Sequence, residues 1–263
     1  MKNLLVVLPI LFIAVLLNGC ETQQIRSHQG SNIHAKKDSP ADVYVSLGVE
    51  YMNRGLNDVA LEKLKRAIQV DPRSSDANNV IAVLYDRLGE SSQAGVHYKR
   101  AVQLEPNNSS AQNNYARYLC GVKDYEGADK HFLEALKNPL YKSPLLALTN
   151  AGTCATKAGK FDDADKYLRT ALQRNKRFSP ALFQMAKLKY EQKNYLSVRA
   201  YLQRFKAAQN ITPASLWLSI QTEDKLGDKN AVASSVLKLQ QLFPDSYEAS
   251  LLEKSKFSYN ISR

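Results

Sequence analysis

Few residues in this chain of 263 stand where chemistry would need them. The four histidines (His28, His34, His97, His131) show no metal-ligand spacing. No HExxH, no phosphate-cradling glycine loop and no GxSxG occurs. These absences weigh against metallohydrolase, nucleotide-dependent and serine-hydrolase chemistry. The chain reads as a non-enzyme, without cofactor, metal or small-molecule substrate. No dense Lys/Arg run with interleaved aromatics is present despite a net charge of +11, so nucleic acid is not an expected partner. The cations read as solvated helix surface. A long apolar run is missing too. Residues 4–17, "LLVVLPILFIAVLL", make only fourteen without a charge, where a membrane span needs about 20.

That run instead fits the apolar region of a secretory signal. It ends in Leu17-Asn18-Gly19-Cys20, which resembles a bacterial lipobox. The resemblance implies a signal peptide over 1–19, cleavage before Cys20 and acylation of its sulfur. The alternative is an ordinary signal or uncleaved anchor with a chance cysteine. Glu21 follows, not the Asp that typically retains such proteins at the inner membrane, so the resemblance favours the outer membrane. Several acyl chains hold a protein stably at a bilayer, at about 0.8 kcal/mol per buried methylene. Residues 20–40 are polar and aperiodic, and read as a lipidated flexible tether reaching roughly 25 Å.

From Ala41 onward the chain is repeat. "RAIQVDPRS" at 66–74 returns as "RAVQLEPNN" at 100–108, thirty-four residues later. On that frame the repeats are 41–74, 75–108, 109–144 (with two extra residues near Pro139 and Pro144), 145–178, 179–212 and 213–246. Small residues recur where two helices would cross, such as Gly48 with Ala60 and Ala67, or Ala82 with Ala94 and Ala101. Pro72, Pro106 and Pro244 stop helix propagation at repeat ends. Repeat five departs, with Val198 and a bulky Phe205 where Ala is usual. This pattern resembles the tetratricopeptide repeat. It implies an all-α fold: a right-handed superhelical solenoid of six helical hairpins within 41–263, closed by a capping helix over 247–256. Asp124, Glu126, Asp162 and Asp163 fall at starts of second helices and read as capping, not as a carboxylate pair. His97 and His131 take corresponding places on second helices and read as helix-surface residues.

Cys120 and Cys154 fall on the first helices of adjacent repeats, where axes 8–10 Å apart permit a disulfide. The alternative is two free, buried thiols. In this fold the first helices line the concave side. Val45, Val49, Met52, Val80 and Val83 are apolar at inward frame positions that the hairpin core does not require. They suggest an apolar groove for a partner helix or peptide. The competing reading is that the tether covers them through Ile25 or Ile33, or that the superhelix is tight enough to bury them. Farther along, Asn79, Asn114 and Asn150 offer amides and Arg117 a cation, either to a partner's backbone or to neighbouring helices.

"NNYARYLCGVKDYEGADKHFLEALKNPLY" (113–141), "LTNAGTCATKAGKFDDAD" (148–165), "ALFQMAKLKYEQKNYLSVRAYLQRF" (181–205) and "LFPDSYEA" (242–249) resemble the type IV pilus biogenesis lipoprotein family called PilF or PilW. The family is a pilotin: an outer-membrane lipoprotein of six such repeats that helps the secretin reach the outer membrane and multimerise. The resemblance implies the secretin as protein partner, outer-membrane lipid bound through acylated Cys20 on the periplasmic face, and the Cys120–Cys154 pair. The other function open to a solenoid of this kind is a general envelope scaffold that binds peptidoglycan-synthesis enzymes or assembly factors.

Overall fold

A computed structural model of the chain describes residues 39–208, 210–255 and 257. The signal segment 1–19, Cys20 and the tether to residue 38 lie outside the described residues. Within them there are thirteen α-helices and no strand. The helices pair as hairpins: α1 (Pro40–Asn53) with α2 (Asn57–Val70), α3 (Ser75–Arg87) with α4 (Ser91–Leu104), α5 (Ser109–Gly121) with α6 (Tyr125–Lys137). Then come α7 (Pro144–Lys157) with α8 (Phe161–Arg174), α9 (Ser179–Glu191) with α10 (Tyr195–Ala207), and α11 (Pro213–Leu226) with α12 (Lys229–Leu242). The short helix α13 (Tyr247–Glu253) ends three residues before the sequence pattern suggested and packs on α11 and α12. This is the all-α right-handed solenoid of six hairpins expected from the repeat. No helix among the described residues is long and apolar enough to cross a membrane.

The hairpins close on small side chains. A Cβ built on Gly48 would sit 2.6 Å from Leu64, and one on Gly152 2.6 Å from Leu168, so a methyl group there has no room. Ala60, Ala67, Ala94, Ala101, Ala128 and Ala135 are fully buried at the same crossings. Each hairpin turn places one residue in the left-handed region: Gly55, Gly89, Gly159 and Gly227 in four repeats, Lys123 and Lys193 in the other two. Glycine adopts that region without the steric cost that a Cβ brings. At three of the five junctions between hairpins the next helix is started by a side-chain cap: Ser74 on Ala77 N–H, Asn108 on Ala111 N–H and Thr212 on Ser215 N–H.

One hairpin cannot bury its own apolar faces, so each stacks on the next. The first helices α1, α3, α5, α7, α9 and α11 pack successively on one another. Each second helix meets the following repeat through that repeat's first helix. The first helices therefore form a continuous inner wall, and the second helices an outer layer that splays apart.

Candidate functional site

The inner wall is the surface on which a solenoid can hold an extended partner. On α1, Val45 is half-buried and Val49 is 38% exposed. Met52, one turn on, is not available. It is 5% exposed and packs with Leu64, Ile81 and Leu84 at the first inter-repeat junction. Val80 and Val83 pack against the same cluster and are half-buried. The reason is geometric: α3 lies against α1, so these inward positions of repeat two are covered by the helix before them. The open apolar surface of the wall is thus narrower than the sequence suggested: it lies mainly on α1, with Leu146 on α7 (44% exposed) the further apolar side chain at an inward position.

The asparagines form a relay along the wall. Asn150 Nδ2 donates to Asn113 Oδ1 (3.1 Å), Asn113 Nδ2 to Asn114 Oδ1 (3.4 Å), and Asn114 Nδ2 to Asn79 Oδ1 (3.1 Å). One amide bond after another thus links α7, α5 and α3. Asn79 and Asn113 are buried, and the side-chain oxygen of each accepts from an amide N–H on the first helix of the following repeat. Each carboxamide has two N–H groups. The relay uses one, so half-buried Asn114 and Asn150 keep a second for a bound backbone. Arg117, one turn beyond Asn114, is exposed. Arg87 does not face a partner freely: it donates to Met52 O at 2.6 Å and closes the C-terminal end of α1.

Cys120 on α5 and Cys154 on α7 are joined by a disulfide, with Cα atoms 5.8 Å apart. The bond ties repeats three and four beneath the relay. Both cysteines are buried beside Ala116, Phe132 and Ala151.

The sequence reading of the groove passed over two residues on α1. Val43 is 52% and Leu47 39% exposed, whereas the residues equivalent to Val43 in repeats two to five (Ala77, Ala111, Ala147, Ala181) are fully buried. In those repeats the preceding hairpin covers the position, and among the described residues none precedes α1. Val43 and Leu47 line a shallow depression with Asp42 and Ser46. The signal was present in the frame: a first repeat leaves its repeat-facing positions uncovered. Leu140, 84% exposed, is a second protruding apolar side chain. The two-residue insert carries it, and Asn138 Oδ1 accepting from Leu140 N–H at 2.9 Å fixes the turn.

The histidines correct their surface reading. His97 Nδ1 lies 3.0 Å from Asn78 Oδ1 with its ring stacked on Tyr85. His131 Nδ1 lies 2.6 Å from Gln112 Oε1 with its ring 4.7 Å from that of Tyr115. Both are half-buried between the helices of their own hairpin, and burial pushes both below the usual histidine range. Asp124 caps α6 by accepting from Gly127 N–H, while Glu126, Asp162 and Asp163 lie in first turns. Among the described residues no cluster of three His, Cys, Asp or Glu could hold a metal.

Comparison with known proteins agrees with this architecture. A family model described as "Tetratricopeptide repeat" matches residues 45–111. The type IV pilus assembly protein PilF of Pseudomonas aeruginosa is 29% identical over 243 residues, covering 91% of this chain and 94% of that protein. A solved structure of P. aeruginosa PilF superposes with a TM-score of 0.69 at 30% identity, covering 82% of this chain and 97% of that one. The crystal structure of PilW, described as a widely conserved type IV pilus biogenesis factor, superposes with a TM-score of 0.77 at 26% identity, covering 82% and 99%. With identity at this level spread over nearly the whole of both solved chains, the protein belongs to the PilF/PilW family of tetratricopeptide-repeat proteins of type IV pilus biogenesis.

Proposed function

We propose that this protein is a lipid-anchored pilotin that binds the type IV pilus secretin on its inner wall and promotes secretin localisation and multimerisation at the outer membrane. The observation that carries the reading is the wall itself. Six first helices present one unbroken surface, apolar at α1 and amide-rich at α3 to α7, in a family of pilus biogenesis proteins. Such a surface suits a polypeptide with one apolar anchor and a run of exposed backbone. The lipobox-like Leu17-Asn18-Gly19-Cys20 supports an acyl anchor at Cys20. Anchoring confines capture to the bilayer, where effective concentration favours assembly without catalysis.

Pull-down from detergent extract with wild type and Val49→Asp tests the wall. Secretin recovery is expected with wild type and lost with the variant, while thermal stability stays near wild type because Val49 is partly exposed. Equal recovery would remove the wall as the docking surface. In a deletion strain secretin multimers are expected to fall. Their persistence with altered envelope integrity would favour the general envelope scaffold. Mass spectrometry of the exported protein is expected to find acyl groups on Cys20.

A further inference from the structure

The junction between repeats five and six is built differently from the others. In repeats one to four the second helix crosses the first on alanine (Ala67, Ala101, Ala135, Ala171), but in repeat five it crosses on Phe205, whose ring packs 5.4 Å from Phe183. The first helix of the following repeat then meets this bulk with small polar side chains. Ser219 stands where repeats two to five carry Ile81, Tyr115, Ala151 and Met185. The result is a cleft of about 180 Å³ between α10, α11 and α12, where the equivalent space between repeats three and four is about 10 Å³. A cavity of about 150 Å³ already admits a benzene ring.

The lining is specific. Leu202, Phe205 and Leu216 supply an apolar floor. Ser219 and Ser235 sit on opposite walls with their hydroxyls 3.1 Å apart. Paired only with each other, they keep one proton and several lone pairs for a ligand. Arg199 and Glu223 close one end by a bidentate pair, and Asp228, which is not part of the lining, meets Arg199 from behind at 3.3 Å. Lys206 and Lys238 also line the cleft, and neither makes an ion pair among the described residues. The cleft therefore joins an apolar seat to two unbalanced positive charges and a hydroxyl pair.

We infer that this cleft binds an acidic peptide segment of a partner protein. One apolar side chain seats on Leu202, Phe205 and Leu216, flanking carboxylates meet Lys206 and Lys238, and the peptide backbone bonds to Ser219 or Ser235. An anionic lipid fits less well, because a side-chain-sized cleft is too short for an acyl chain and the hydroxyl pair would face hydrocarbon unpaired. The site lies between second helices α10 and α12 with first helix α11 forming part of its floor, and the α11 residues that line it (Ser215, Leu216, Ser219, Glu223) do not take inward frame positions, so it is separate from the inner wall and would make the solenoid two-sided.

The test uses the ¹⁵N-labelled full chain in detergent micelles, with capped pentapeptides Gly-Asp-X-Asp-Gly, X being Leu, Phe or Trp. Amide shifts are expected to change on α10, α11 and α12. Replacing both Asp by Lys in the peptide is expected to weaken binding at least about tenfold, as is the Lys206→Glu/Lys238→Glu pair in the protein. Ser219→Leu fills the cleft with the apolar type found elsewhere in the frame. It is expected to abolish the shifts with no loss of thermal stability, and Val49→Asp to leave them unchanged. Absence of shifts with all three peptides, shifts that survive Ser219→Leu, or binding to phosphatidylglycerol vesicles but not to peptides would overturn the proposal.

Discussion

In hairpins one to four the paired helices meet on glycine and alanine: Gly48 with Ala60 and Ala67, Ala82 with Ala94 and Ala101, Ala116 with Ala128 and Ala135, Gly152 with Ala164 and Ala171. In hairpins five and six the second-helix positions hold Val198 with Phe205, and Val232 with Leu239, all still buried. Small residues bring two helix axes together, and the neighbouring large side chains then fill the junction. Leu64, Tyr98, Phe132 and Leu168 are accordingly 0–2% exposed. In hairpin five, with Phe205 at the crossing, Leu202 at the place of those four is only half-buried, whereas Val236 in hairpin six is 3% exposed. What fills the gap is polar: a buried Glu223 held by Arg199, with Asp228 behind at 3.3 Å. A buried ion pair of this kind offsets its desolvation at best, so the last junction relies less on burial than the earlier ones.

The largest expected difference between the two regions comes from the disulfide. Cys120–Cys154 closes a segment of 34 residues, which in the chain-entropy view stabilises by about 3–4 kcal/mol. Cys120→Ser/Cys154→Ser is expected to lower stability by that order. Hydrogen exchange should show lost protection in α5 to α8 and little change in α11 and α12, because a solenoid transmits stability mainly between neighbours. Uniform loss over the whole solenoid would mean that the two regions are one cooperative unit.

A smaller effect separates two glycines in the same pair of repeats. A Cβ on Gly152 would lie 2.6 Å from Leu168 Cγ and 3.2 Å from the Ala164 carbonyl oxygen, and backbone cannot step aside as a side-chain tip can. Overpacking of about 1–3 kcal/mol, offset by about 1 kcal/mol of helix propensity, leaves Gly152→Ala destabilising by up to about 2 kcal/mol. Gly121, at the end of α5, has nothing within 4 Å of such an atom. Gly121→Ala is expected to stabilise by about 0.5–1 kcal/mol. Denaturant midpoints of the two variants check both signs.

The fold was legible because its period is written in residue size. Gly48, Ala82, Ala116 and Gly152 recur every 34 residues, or 36 across the two-residue insert, and mark the crossings directly. The wall was legible only in part. Val80 and Val83 occupy inward positions, yet α1 covers them, and a single-repeat frame has no information about how far the next helix leans over it. The asparagine relay was open to two readings because an amide that can bind a partner can equally bind the amide beside it. The histidines carried a signal that was passed over. Asn78 and His97 are nineteen residues apart, and so are Gln112 and His131. Two carboxamide–imidazole pairs at one separation mark paired contacts, not two surface residues. The cleft at α10 to α12 was half visible in Phe205, but its opening depends on Ser219 in the following repeat.

Those histidines supply the smallest and most local contrast. Burial holds His97 below its usual range; burial does the same for His131, with Lys130 adding and Glu134 and Asp124 opposing. A depressed folded-state pKa means that the unfolded chain takes up the proton first. The neutral rings therefore stabilise the fold fully above the unfolded value of about 6.5, and that stability is lost as pH falls below it toward the folded values. Melting followed from pH 7.5 to 5 is expected to drop, and to drop less in His97→Gln/His131→Gln, where a neutral amide replaces each ring. Hairpins five and six carry Tyr201 and Ser235 at that frame position, opposite Leu182 and Leu216, and have no imidazole there. Hydrogen exchange should therefore confine the acid-induced loss to α3 through α6. Equal acid sensitivity of wild type and double variant would show that the repeated imidazole–amide contact has no part in the acid sensitivity of the N-terminal repeats.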